Sequence, residues 1–224
     1  MGLWIATFVV LLFAFLGILI FGFSNYQETF KTKFSILNMF PYELSYHNQG
    51  MMIVFYRFFL YLYAAFSIAP ALLMISKYYH FPGYVSYLIM IGILFVISAV
   101  SFLTLHIIQA KYVRLHTLVA TAYFAVSALA AGAVSIILLN LYISNNRVDF
   151  KFLLIGILEA MLGFATLLIM LNPRLRNWAN MNAKTEEDGT VVIVRPRFFI
   201  LAFSEWLVIF INLAAQTLLL IAYL

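Results

Sequence analysis

Residues Leu3 to Phe23 read LWIATFVVLLFAFLGILIFGF, an apolar run broken only by Thr7 and free of charge. Roughly 20 such residues, each rising 1.5 Å along a helix, cross the ~30 Å hydrocarbon core of a bilayer. The run is longer than the apolar region of a signal peptide and lacks a basic flank and a clear small-residue cleavage site, so a retained membrane helix is expected. A window of about 19 residues finds the same pattern in six segments, near 3 to 23, 51 to 76, 84 to 108, 115 to 142, 152 to 171 and 198 to 222.

Composition agrees with that reading. The 224 residues are 66% hydrophobic and 9% charged, with a mean hydropathy of +1.04. A soluble domain carries about 25% charged residues. None of the segments shows the alternation of apolar and polar residues that a membrane β-barrel needs. The expected fold is all-α: one polytopic bundle of six transmembrane helices over 1–224, with two longer connections, 24–50 and 172–197, on the same side. Cysteine is absent, which excludes disulfides, thiolate metal sites, iron–sulfur clusters and a cysteine nucleophile. The net charge of +5 comes from scattered cations, so a nucleic-acid partner is excluded.

Nine of the 13 Lys and Arg residues fall on the face of the two long connections, three fall opposite, and Arg57 lies within a helix. The positive-inside rule places that loop face in the cytoplasm and both termini outside, with the plasma membrane as the expected location. The first connection carries Phe30, Phe34, Ile36, Leu37, Met39 and Phe40 around Lys31 and Lys33, consistent with an amphipathic segment lying in the interface. In the second, Glu186-Glu187-Asp188-Gly189 is a turn signal before the β-branched run Thr190 to Val194, so a small hairpin or extended arm is expected. Ser127, Ala131 and Ser135, with Gly132 beside them, and Gly156 with Ala160, form small-residue faces on the fourth and fifth helices. They suit close packing within the chain, a dimer interface being the alternative.

Charge inside a membrane helix costs about 2.5–3.5 kcal/mol even on the insertion scale, so each such residue is a site candidate. These are Arg57, Glu205 and Glu159. Arg57 and Glu205 enter from the loop face and reach similar depth, about 10 Å, where an ion pair is feasible if their helices are neighbours. His106, His116, Glu43 and His47 approach the same level, which makes Arg57, His106, His116, Glu205, Glu43 and His47 the candidate polar site; Glu159 is a second intramembrane acid nearer the other face. Tyr56, Phe58, Phe59, Tyr61 and Tyr63 crowd around Arg57, as either an aromatic-lined pocket or a belt with ordinary packing.

No HExxH, GxSxG or phosphate-binding glycine loop occurs. No cofactor is expected: two histidines lack a third metal ligand, and a bis-histidine haem between His106 and His116 is the weaker alternative. The function expected is a non-catalytic membrane protein that binds lipid or a small apolar ligand, or serves beside other membrane subunits in a complex. The alternative is a lipid-modifying enzyme or small transporter, with Arg57 holding a phosphate and His116 moving a proton.

Three stretches resemble the six-helix family that contains the damage-regulated autophagy modulators and the GPI-remodelling membrane proteins. They are Phe40-Pro41-Tyr42-Glu43-Leu44-Ser45, Leu115-His116-Thr117 with Ala120 and Phe124, and Ser204-Glu205-Trp206. The resemblance implies a six-helix bundle over nearly the whole chain, with cytosolic termini, the reverse of the orientation given by the charge count. The family's Gly-x-x-Pro-Glu is replaced here by Tyr46-His47-Asn48-Gln49-Gly50.

Overall fold

The structure is a computed structural model that describes residues 1–45, 50–109, 112–144, 149–177, 182–185, 191–194 and 196–224. The described residues contain seven α-helices: α1 Gly2–Phe30, α2 Met51–Ser67, α3 Ala69–Tyr78, α4 Val85–Leu105, α5 Val113–Ser144, α6 Phe150–Met170 and α7 Ile200–Ile221. They make six spans long and apolar enough to cross a membrane, because α2 and α3 form one span from Met51 to Tyr78. The protein is thus an all-α, six-span integral membrane protein.

The second span differs from the single helix expected. It breaks at Ile68, where Pro70 sits near the start of α3; a proline ring has no N–H to continue the ladder and favours the first helical turn. At the opening of α6, Asp149 accepts a hydrogen bond from the Lys151 N–H (3.3 Å), a side-chain cap for an otherwise orphaned donor.

Lipid, rather than water, explains which sides of the helices are apolar. On α1, Leu16 is 55% exposed while its neighbour Phe15 is 4% exposed, yet both are hydrophobic. Outer residues such as Ile20, Phe58, Ile93 and Phe164 are exposed in the same way. With apolar side chains favoured on both faces, packing rather than burial selects the helix contacts. The most extensive helix contact among the described residues joins α5 and α6, where the Ser135 hydroxyl donates to the Gly156 carbonyl at 2.6 Å. A Cβ on Gly163 would stand 3.0 Å from the Ala128 carbonyl oxygen. The small-residue faces therefore bring two helices of the same chain together. Helix α7 packs against α1, α3, α5 and α6 and buries Glu205, Trp206, Asn212 and Gln216 along its length.

The first connection departs from an interfacial amphipathic segment. Helix α1 continues to Phe30, and after an irregular stretch a 3-10 turn, Pro41–Ser45, enters the end of the bundle. Phe40, Tyr42 and Leu44 are buried there. The Asn25 amide donates to the Leu44 carbonyl (2.8 Å), the Trp206 indole N–H to Met39 O (2.9 Å) and the Phe199 N–H to Leu37 O (2.8 Å). These bonds satisfy backbone acceptors that water would otherwise serve. In the second connection, β1 Asn182–Thr185 pairs antiparallel with β2 Val191–Val194, the small hairpin expected; its turn, including Glu186-Glu187-Asp188-Gly189, lies outside the described residues.

Candidate functional site

Among the described residues, buried acids stand in two places inside the bundle, one at the loop end (Glu43 and Glu205) and one near mid-membrane (Glu159). At the loop end, His116 in the second turn of α5 and Glu205 in the second turn of α7 meet, Nε2 to Oε1 at 2.8 Å. Their side chains are 1% and 0% exposed. His116 Nδ1 lies 2.9 Å from the Ile108 carbonyl, which only accepts, so Nδ1 carries a proton. One further proton lies between Nε2 and Oε1. Whether it sits on imidazole or carboxyl, the pair carries no net charge, which makes it less costly to enclose than either charge alone.

Rings close over the pair. Phe40 and Tyr42 stand edge-on to the His116 ring, with centroids 5.2 and 5.6 Å away, and Phe40 packs on Phe199. Glu43 is buried in the same turn; its Oε1 accepts from the Phe40 N–H at 2.9 Å, and it is close enough to act electrostatically on Glu205. The first connection, α5 and α7 are therefore fastened at one point.

The other candidates are placed apart from that point. Arg57 is exposed on α2, and the partner of Glu205 is His116, so the sequence-based pairing of Arg57 with Glu205 is replaced. The aromatic residues around Arg57 divide between two faces: Tyr56, Phe59 and Tyr63 are buried, whereas Phe58 and Tyr61 are exposed. Phe59 stacks on Phe21 at 5.3 Å, so these rings pack helices together rather than line a pocket. His106 follows the end of α4 and is 1% exposed. Its Nδ1 donates to the Phe102 carbonyl (2.8 Å), and Nε2 has no hydrogen-bond partner among the described residues. Burial lowers the His106 pKa from 6.5 to about 4, against a smaller raising effect of the Phe102 bond. His47 lies outside the described residues.

Next to the fastened point is an open groove of about 500 Å³. Its walls come from α5 (Thr117, Ala120, Thr121, Phe124), the end of α6 (Met170), the following turn (Asn172, Pro173, Leu175) and Leu201 of α7. Leu175 and Leu201 also belong to the cluster around Phe40, Tyr42 and Phe199, so the enclosed aromatics support the groove from behind. Exposed Arg174 sits between two lining residues, and exposed Arg114 is one helical turn before Thr117. Sequence reading gave no sign of the groove, because its walls come from three segments and most of its residues are ordinary for a membrane helix.

Near mid-membrane, Glu159 is 1% exposed and faces a cavity shared with Ser98, Ser127, Asn212 and Gln216. Asn212 Nδ2 donates to Ser127 Oγ (2.7 Å) and Ser98 Oγ (3.1 Å), and Gln216 Nε2 donates to Asn212 Oδ1 (2.5 Å). Asn212 and Gln216 were readable as amides four residues apart in an apolar span; their partners on other helices were not. Among the described residues no group of three or more metal-ligating His, Asp or Glu occurs.

Comparison with protein-family models, with curated proteins and with solved structures finds no match for the chain.

Proposed function

We propose that the protein is a non-catalytic lipid-binding membrane protein that seats a phospholipid in the groove between α5, the end of α6 and the start of α7. The observation that carries this reading is the groove itself. It lies at the end of three spans, is apolar along Ala120, Phe124, Met170 and Leu201, and is flanked by exposed Arg114 and Arg174. From Thr117 to Phe124 it runs about 10 Å along α5, room for part of an acyl chain. Guanidinium groups at the mouth suit a phosphate headgroup, and Thr117, Thr121 and Asn172 can bond glycerol esters.

The enclosed His116–Glu205 pair supports the non-catalytic side of the proposal. A general base must reach the proton it takes, whereas both side chains here are shut beneath Phe40 and Tyr42 and joined to each other. The pair acts as a fastening that shapes the groove's back wall. The three stretches that carry the family resemblance meet at this fastening, through Phe40, Tyr42, His116, Glu205 and Trp206. That convergence supports the proposal that the chain shares the architecture of the autophagy-modulator and GPI-remodelling group. We place the loop face in the cytoplasm of a cell whose plasma membrane holds the protein, following nine of 13 cations.

Filling the groove tests the lipid reading: a phospholipid is expected to co-purify with the wild type and to be missing from Thr121→Trp. Orientation is tested with Lys33→Cys in this cysteine-free chain. An impermeant thiol reagent is expected to leave it unlabelled in intact cells, and labelling there would reverse the topology.

A further inference from the structure

We propose that the mid-membrane cavity beside Glu159 binds one monovalent cation of sodium size. Glu159 is the tenth residue of α6, about 14 Å from that helix's start, and its side chain is buried from solvent. Neither carboxyl oxygen has a hydrogen-bond partner among the described residues, and Gln216 Oε1 is likewise buried without one. A buried carboxylate without a counter-charge is among the costliest groups a protein can hold, and an intramembrane acid of this kind marks an ion or proton site by default.

The network around the cavity has part of its donor set already used. Both Asn212 Nδ2 contacts end on serine hydroxyls, and one Gln216 amide N–H ends on Asn212 Oδ1. Among the described residues, the buried side-chain atoms left without a partner at the cavity are oxygens, the two of Glu159 and Gln216 Oε1, with the Ser98 and Ser127 hydroxyls beside them. Among the described residues no lysine, arginine or histidine lines the cavity. An all-oxygen set of carboxylate, amide and hydroxyl suits a hard cation rather than a transition metal. Charge then selects valence, since one carboxylate is neutralised by one positive charge, whereas a divalent ion would leave a net charge in hydrocarbon. The cavity measures about 10 Å³, the space of a single water-sized body, which excludes a hydrated ion or an organic amine.

The test is equilibrium dialysis of the full-length protein, in nanodiscs of zwitterionic lipid, against radioactive sodium in an N-methyl-glucamine chloride background. One sodium per chain is expected for the wild type and none for Glu159→Gln, which keeps the side chain's shape without its charge. Gln216→Leu, which removes one oxygen, is expected to weaken binding about tenfold. Wild-type protein that takes up no sodium, or Glu159→Gln that takes up as much as the wild type, would overturn the proposal. Lipid retention by Thr121→Trp is unrelated to either result, so the two proposals fail separately.

Discussion

His116 and Glu205 share one proton inside a closed shell of rings, and that arrangement makes each residue costly to remove alone. Removing one partner of a buried pair leaves the other uncompensated, at about 3–5 kcal/mol. His116→Ala and Glu205→Ala are each expected to lower the thermal midpoint in detergent strongly. The double variant His116→Phe/Glu205→Leu, which replaces both groups by apolar volume, is expected to recover most of the loss. A double variant as unstable as the sum of the singles would contradict the fastening role. His106 supplies a pH dependence of known sign. Burial holds its folded-state pKa at about 4, below the ordinary 6.5, so the unfolded chain takes up a proton first as pH falls. Stability from neutral His106 is present above pH 6.5 and lost progressively towards pH 4. The wild type is expected to lose more stability over that window than His106→Phe, and parallel curves would refute the assignment. Neither histidine's role was readable from the chain alone. Their depth followed from position in a span, but the Glu205 partner lies 89 residues away, and Arg57 had the same apparent depth while facing outward.

At the level of helices, the contact of α5 with α6 depends on missing side chains. Gly163 faces the Ala128 carbonyl so closely that an added Cβ would lie 3.0 Å from it, whereas Gly132 on the facing helix has nothing within 4 Å. Gly163→Leu is expected to destabilise by about 1–3 kcal/mol through overpacking. Gly132→Ala is expected to be neutral or stabilising, because alanine is the better helix former by about 1 kcal/mol. Equal effects at the two glycines in denaturation curves would show that the contact is looser than described. Spans of this kind are the most legible feature of such a sequence, since hydropathy over about 19 residues follows from bilayer thickness alone. The break at Ile68 was signalled by Pro70 within the second apolar run. The inward course of Phe40 to Ser45 was not signalled, because aromatic residues suit a membrane interface and a bundle end equally well; only the bonds to Asn25 and Trp206 distinguish them.

Across the whole molecule, the described residues include two enclosed polar sets at different levels, one at the loop end and one near mid-membrane. The loop-end pair ties the first connection to α5 and α7 and gives the neighbouring groove a firm back wall through Leu175 and Leu201. The mid-membrane set joins α4, α5 and α7 through Ser98, Ser127 and Asn212, with Glu159 of α6 facing the same cavity. A membrane class was evident from 9% charged residues; which of those charges meet is a property of helix neighbours, and no local pattern carries it. The account centres on the groove as a lipid seat, and lipid analysis of the purified protein by native mass spectrometry tests it most directly. The wild type is expected to retain about one phospholipid through gentle purification, and Thr121→Trp, of equal thermal stability, to retain none. Equal lipid retention by the two proteins would contradict the lipid-binding account.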